Sequence, residues 1–122
     1  MSKLILIVDD SASLRQVVAI ALKGAGYEVL EAVDGKDGLV KLDGRKVNLI
    51  ISDVNMPVMD GITFVKEVKK LATHRFTPII MLTTESDESK KREGQAAGAK
   101  AWVVKPFKPE QMLGAVQRLC LP

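Results

Sequence analysis

The stretch Leu4-Ile5-Leu6-Ile7-Val8-Asp9-Asp10 decides the fold, because an unbroken aliphatic run passes directly into two acidic residues. A short, wholly apolar run is typical of a strand that is covered on both faces of a parallel sheet. The segment Val47-Asn48-Leu49-Ile50-Ile51-Ser52-Asp53 repeats the pattern and ends at Asp53. If the two strands are neighbours, the three carboxylates converge at the carboxyl edge of the sheet, where open α/β sheets bind their ligands.

Such a cluster of carboxylates is costly without a cation. At a spacing of about 4 Å and an effective dielectric constant of about 20, each like-charge pair costs roughly 4 kcal/mol. Mg²⁺ is a suitable cation, since it prefers one or two carboxylates, several waters and a phosphate oxygen. The three aspartates therefore predict a divalent metal and phosphate chemistry.

Apolar runs rich in Val and Ile alternate with segments of helical periodicity along the whole chain, which predicts five βα units and a parallel sheet. The predicted strands are Lys3–Val8, Tyr27–Ala32, Val47–Ser52, Thr77–Leu82 and Ala101–Val104. The first predicted helix ends at Gly24, and the fifth begins at Pro109. The second, third and fourth helices are predicted to span Lys36–Leu42, Ile62–Leu71 and Asp87–Ala97. The first helix has an apolar face that includes Leu14, Val17 and Val18, and Ser11 or Ser13 would cap its start.

The fourth predicted helix differs from the others because it is almost entirely polar. Its sequence Glu88-Ser89-Lys90-Lys91-Arg92-Glu93 offers little apolar surface for packing. Weakly anchored elements are the ones that can move. The charge pattern alone fits a solvated helix with no functional role equally well.

Two further strand ends carry polar residues that suit phosphate chemistry. Thr83 follows the fourth strand and Lys105 the fifth. Asp9 and Asp10 would supply oxygen ligands to the metal, and Asp53 would share the metal and act as a nucleophile. Lys105 would then neutralise one phosphoryl oxygen, and the Thr83 hydroxyl would donate to another.

Bulk properties exclude several other classes of protein. The 122 residues fit one domain, and the net charge of +3 is scattered without a nucleic-acid-binding motif. The N-terminal apolar run is too short for a signal peptide or a membrane span, so we expect a cytoplasmic protein without membrane insertion. Cys120 is the one cysteine, which excludes an internal disulfide or a cysteine-ligated metal.

The motifs together resemble those of a response-regulator receiver domain, specifically a stand-alone one of the chemotaxis CheY type. The matching segments are Val8-Asp9-Asp10, Asp53-Val54-Asn55-Met56-Pro57-Val58-Met59-Asp60-Gly61, Leu82-Thr83-Thr84 and Val104-Lys105-Pro106-Phe107. The resemblance covers residues 1–122 as a single receiver domain. It implies a flavodoxin-like (βα)5 fold with strand order 2-1-3-4-5, an order that the sequence pattern does not supply.

The resemblance also assigns roles to individual residues. Asp53 is implied to be the phosphoacceptor, and Mg²⁺ is implied to bind Asp9, Asp10, Asp53 and the backbone carbonyl of Asn55. A partner histidine kinase of the CheA type would donate the phosphoryl group from phosphohistidine. Self-phosphorylation from small donors and autodephosphorylation are implied as well, so the protein would be a signalling phosphoacceptor and not an enzyme.

Further positions correspond to the switch and the tuning positions of the family. Thr83 and Trp102 match the switch pair, although most receivers have Tyr or Phe where this chain has Trp102. Asn55 and Glu85 match the positions that tune phosphate lifetime. The peptide bond before Pro106 matches a cis bond of the family.

The implied output surface is formed by helix four, strand five and helix five of a monomer, and it binds a protein rather than nucleic acid. A chemotaxis pathway with a flagellar switch partner is one interpretation, and a phosphate sink or a regulator of a non-motor pathway are the alternatives. The residues Gln111, Leu113, Gly114 and Ala115 in helix five depart from the pattern of a flagellar-switch-binding face.

Two alternatives come from other classes of protein. The segment Asp53-Val54-Asn55 superficially resembles the motif of small phosphatases of the haloacid-dehalogenase class, but the acidic pair of that class is absent in its spacing. A flavodoxin-like electron carrier would need a phosphate-binding loop after the first strand, where Asp9 and Asp10 would repel the phosphate.

Overall fold

Five parallel strands alternate with five helices in the part of the chain that the computed structural model describes, residues 3–84 and 88–120. The elements are β1 (Leu4–Val8), α1 (Ala12–Gly24), β2 (Glu28–Ala32), α2 (Gly35–Leu42), β3 (Leu49–Asp53), α3 (Gly61–Lys70), β4 (Ile79–Thr84), α4 (Glu88–Ala97), β5 (Ala101–Lys105) and α5 (Pro109–Leu119). The strands form one sheet in the order β2-β1-β3-β4-β5. This confirms the predicted fold class, and it confirms the strand order implied by the resemblance.

The central strands are apolar along their whole length because helices cover both faces of the sheet. Ile5 and Ile7 belong to the core on the side of α1 and α5. Leu6 and Val8, which point to the opposite face, belong to the core on the side of α2 and α3. The continuous aliphatic run of β1 is therefore explained by two cores that share one strand.

Side-chain caps fix where three helices begin. Ser11 caps α1, since its Oγ accepts a hydrogen bond from the Leu14 backbone N–H at 3.3 Å. Asp34 and Asp60 cap α2 and α3 in the same way. Of the two serines proposed from the sequence, Ser11 is thus the cap of α1.

The apolar face predicted for α1 was wrong in one residue. Val17 is 52% exposed, whereas Val18 is buried in the core. None of the helices in the described ranges combines the length and the apolar character that crossing a membrane would require.

Candidate metal centre at the carboxyl edge of the sheet

Strand register brings the three predicted carboxylates together. Val8 of β1 pairs with Ser52 of β3, so Asp9 and Asp53 follow on neighbouring strands. One carboxylate oxygen from each of Asp9, Asp10 and Asp53 lies within 4.8 Å of the others. Asp9 and Asp53 are buried and Asp10 is exposed, so the cluster opens to solvent on one side. Three hard oxygen donors at this spacing fit a divalent cation such as Mg²⁺.

Lys105 adds a positive charge to the same cluster. Its Nζ lies 3.1 Å from Asp53 Oδ1 and 3.4 Å from Asp9 Oδ2. β5 is separated from β3 by β4, and the long lysine side chain spans that strand to reach the aspartates. The predicted convergence of Asp9, Asp53 and Lys105 is therefore present in the structure.

Burial and charge act against each other on these groups. Burial raises the pKa of the Asp53 carboxyl, and the nearby Asp9 raises it further, while the Lys105 amine opposes both. Burial also raises the pKa of Asp9, against the opposing Ser11 backbone N–H and Lys105. Burial alone would lower the pKa of the Lys105 amine, but Asp53 and Asp9 outweigh it and the pKa is raised. The cluster brings three carboxyl groups together with one lysine amine, so it has more acidic groups than this lysine can pair with.

Backbone groups and one arginine hold the aspartates in place. The Val54 N–H donates to Asp53 Oδ1 at 2.9 Å, and the Ser11 N–H donates to Asp9 Oδ1 at 2.8 Å. Arg15 Nη1 donates to the backbone carbonyl of Asp9 at 2.6 Å, while its Nε donates to Glu31 at 3.0 Å. Sequence reasoning missed Arg15, because its bond to Asp9 is to a backbone carbonyl, its other partner Glu31 is sixteen residues away, and no local motif marks it.

The structure describes all but one of the remaining predicted site residues. Thr83 is buried, and its hydroxyl donates to the Thr84 carbonyl at 3.3 Å. Asn55 is exposed two residues after Asp53. The peptide bond that precedes Pro106 is cis, as the resemblance implied. Glu85 lies outside the described residues.

Trp102 of β5 packs on the opposite face of the sheet from α1, against the core that includes residues of α3. The residue as a whole is half-buried, but its Nε1 is fully buried and has no hydrogen-bond partner among the described residues. A buried donor without a partner costs about 1–3 kcal/mol. The indole therefore occupies its position through packing and against a polar penalty.

We expect the substitution Asp53→Asn to raise the melting temperature in Mg²⁺-free buffer. Asparagine keeps the shape but removes one buried charge, and Lys105 retains its pair with Asp9. The gain should be on the order of 1 kcal/mol, or roughly 3–5 °C for a domain of this size. Thermal unfolding followed by circular dichroism measures it, and Asp10→Asn, at the exposed member, should give a smaller rise.

The pH dependence of this gain has a defined sign. A carboxyl whose pKa is raised in the folded state contributes stability that is full below the pKa of the unfolded chain and is lost as pH rises through the folded-state pKa. The advantage of Asp53→Asn should therefore be largest at neutral pH and shrink on acidification. Equal or lower melting temperatures of both variants at neutral pH would mean that the carboxylates do not repel one another as described.

Comparison with known proteins identifies the family. The response regulator receiver domain family matches residues 5–117 of this chain. The chain therefore belongs to this family, whose members are phosphoacceptor signalling domains that bind Mg²⁺ at an acidic site and interact with histidine kinases and output partners. The acidic cluster at the edge of the sheet fits that description.

Individual relatives place it among the CheY-like receivers. The chemotaxis response regulator CheY4 of Vibrio cholerae is 51% identical, with a TM-score of 0.92 over 98% of this chain and 99% of that chain. Chemotaxis protein CheY1 of Helicobacter pylori (strain ATCC 700392 / 26695) is 39% identical over 108 residues, which is 87% of each chain. The receiver domain of the sensor histidine kinase PA1611 from Pseudomonas aeruginosa PAO1, solved with magnesium in its active site cleft, is 27% identical with a TM-score of 0.90 over 98% of both chains.

Several other curated relatives are longer transcriptional regulators, and this chain spans 41–50% of their length. The match to the CheY-like proteins extends over most of this chain and most of theirs, whereas the match to the transcriptional regulators covers only one part of the regulator.

Proposed function

We propose that this protein is a single-domain response regulator in which Asp53 accepts a phosphoryl group from the phosphohistidine of a histidine kinase. The observation that carries the proposal is the position of Asp53. Its carboxylate is nearly buried, lies within 4.8 Å of the Asp9 and Asp10 oxygens and is 3.1 Å from the Lys105 amine. A nucleophile, a set of metal ligands and a cation thus meet at one point.

The proposed reaction forms a bond between an Asp53 carboxylate oxygen and phosphorus. The bond between phosphorus and the donor histidine nitrogen breaks, and its electron pair stays on the histidine ring. Lys105 neutralises a phosphoryl oxygen, and the Thr83 hydroxyl donates to another. When bound, Mg²⁺ would be held by Asp9, Asp10, Asp53 and the Asn55 carbonyl, and it would supply charge that offsets the phosphoryl oxygens.

Two backbone donors prepare the carboxylates for this chemistry. The Val54 N–H holds Asp53 Oδ1 in a fixed orientation through a hydrogen bond, and the Ser11 N–H does the same for Asp9 Oδ1. Preorganised donors of this kind do not have to rearrange when the reaction begins. Small phosphodonors would reach Asp53 from the solvent-open side at Asp10, which supports self-phosphorylation and autodephosphorylation as further properties.

Output would pass through the surface of α4, β5 and α5 to a protein partner. The similarity to CheY4 and CheY1 favours chemotaxis, with a CheA-like kinase and the flagellar switch as partners. A phosphate sink and a regulator of a non-motor pathway remain the alternatives within the same chemistry. Phosphorylation-dependent binding to a flagellar switch peptide separates the motor pathway from these two.

The test of the proposed function is the intact mass of the protein after incubation with Mg²⁺ and acetyl phosphate. Wild type should gain the mass of one phosphoryl group, and Asp53→Asn should gain none. Asp43→Asn is the matched control, because Asp43 is an exposed aspartate at the end of α2, and it should be modified like wild type. An unmodified wild type, or a modified Asp53→Asn protein, would refute Asp53 as the phosphoacceptor.

A further inference from the structure

α4 is attached to the rest of the domain through very little buried surface. Of its ten residues, Gly94 alone is buried. The other α4 side chains are exposed or half-buried, in agreement with the polar sequence of this helix. α4 also packs beside α3, and Ala97 at its end is half-buried against the core, so Gly94 marks the one fully buried contact of this helix among the described residues.

The indole of Trp102 occupies the space above Gly94. A Cβ atom added at Gly94 would lie 2.6 Å from Trp102 Cζ2 and closer still to Cη2, distances that real Cβ contacts do not show. The six-membered part of the indole ring thus rests on the backbone of α4. β5 therefore contacts α4 where the bulky side chain of Trp102 meets Gly94, which has no side chain.

Gly94 has no backbone reason to be glycine. Its φ lies outside the left-handed region, and it occupies an ordinary helical position. Glycine in a helix interior is less favourable than alanine, so the residue lowers the intrinsic stability of α4. The space required by the indole accounts for it.

Within the described residues, the indole is held there by packing and by no hydrogen bond. Its buried N–H has no hydrogen-bond partner among the described residues, so any position that gives this group a partner competes with the observed one. Trp102 and Lys105 belong to the same five-residue strand, and the Lys105 amine contacts Asp53. A rearrangement around Asp53 can therefore reach the indole through β5.

We propose that Gly94 and Trp102 are a matched pair that fixes α4 against β5, so that the response of the α4 surface to the Asp53 site depends on the space at residue 94. The part of this proposal that concerns Asp53 rests on the proposed function. The pairing itself is a property of the fold and is tested separately.

The pairing is tested by a double-mutant cycle on melting temperature. Gly94→Ala should lower the melting temperature in the wild-type background, because the added methyl group collides with the indole. In the Trp102→Phe background the same substitution should raise it, since phenylalanine lacks the outer ring and alanine favours the helix. Gly114→Ala is the control, because a Cβ there meets nothing within 4 Å, and it should not lower the melting temperature in either background. Equal effects of Gly94→Ala in both backgrounds would overturn the pairing.

The response of α4 is tested by hydrogen exchange of its backbone amides with and without Mg²⁺ and beryllofluoride, a phosphoryl mimic. In wild type the mimic should change exchange in residues 88–97. In Gly94→Ala exchange should already be faster without the mimic, and the mimic should change it less. The Gly94→Ala/Trp102→Phe double variant should regain slow exchange without the mimic. An identical response in wild type and Gly94→Ala, or no response in a wild type that forms the Asp53 adduct, would overturn the proposal.

A failure of the proposed function and a failure of the matched pair would give different results. A wild type that forms no adduct with acetyl phosphate refutes the proposed function, and the melting-temperature cycle still decides whether residues 94 and 102 are matched. A wild type that forms the adduct but shows no coupling in the cycle refutes the matched pair and leaves the phosphoacceptor in place.

Discussion

Replacing Gly61 with alanine is expected to lower the free energy of unfolding by about 3 kcal/mol, at the upper end of the range for overpacking a buried site. A Cβ at this position would lie 2.8 Å from Met81 Cε and 2.9 Å from Val54 Cα, and nearer still to the backbone carbonyl oxygen of Asp53. Two of these three atoms belong to the backbone, which cannot move aside as a flexible side chain could. The turn between β3 and α3 would have to open.

The opening would act on the site as well as on stability. The Gly61 N–H donates to the Val54 carbonyl at 2.8 Å, and the Val54 N–H orients the Asp53 carboxylate. Gly61→Ala should therefore also slow modification by acetyl phosphate under conditions in which the variant is still folded.

Denaturant unfolding measures the loss of stability in Gly61→Ala. Gly24→Ala serves as the control, because a Cβ at the end of α1 meets nothing within 4 Å. The control should change stability by less than about 1 kcal/mol. If Gly61→Ala lowers the free energy of unfolding by no more than Gly24→Ala, then the close approach of α3 to the Asp53 backbone does not require glycine at this position.

The sequence predicted the elements of the fold but not where each one ends. β3 was predicted as Val47–Ser52 and β4 as Thr77–Leu82, whereas the structure has Leu49–Asp53 and Ile79–Thr84. At the carboxyl ends of both strands the error has the same origin, because the sequence prediction ends each strand before its polar residue. Asp53 and Thr83 continue the backbone pairing with the next strand, and their side chains emerge at the edge of the sheet.

The candidate site was predictable because its residues follow strands directly. Asp9, Asp53 and Lys105 each occupy the end of an apolar run, and a parallel sheet brings such ends together. Arg15 and Gly94 gave no comparable signal. The importance of Arg15 depends on the Asp9 carbonyl and on Glu31, sixteen residues away along the chain. That of Gly94 depends on an indole from another strand, so neither can be deduced from a local pattern.

Replacing Lys105 with methionine is expected to lower the free energy of unfolding at neutral pH by about 2–3 kcal/mol in Mg²⁺-free buffer. Removing one partner of a buried ion pair typically costs 3–5 kcal/mol, and the smaller figure reflects the 27% exposure of the lysine side chain. Methionine preserves most of the apolar stem. The loss therefore reports the charge that faces Asp53 and Asp9.

The pH dependence distinguishes charge from packing. Lys105 opposes the rise in the pKa of both Asp53 and Asp9, so its removal raises each pKa further. A carboxyl whose folded-state pKa is raised keeps its full contribution to stability below the pKa of the unfolded chain, about 3.9, and loses it as pH rises through the folded-state value. The cost of Lys105→Met should thus be small in acid and grow toward neutral pH.

Urea unfolding at a series of pH values measures this cost, with Lys36→Met, at an exposed lysine of α2, as the control that should show little change. Adding Asp53→Asn to Lys105→Met should recover part of the loss at neutral pH, because one of the two unpaired carboxylates is then gone. A loss that is the same at every pH, and that Asp53→Asn does not reduce, would mean that the lysine stem and not its charge stabilises the edge of the sheet. The excess of negative charge that makes the site suitable for a divalent cation would then have to be held in check by groups other than Lys105.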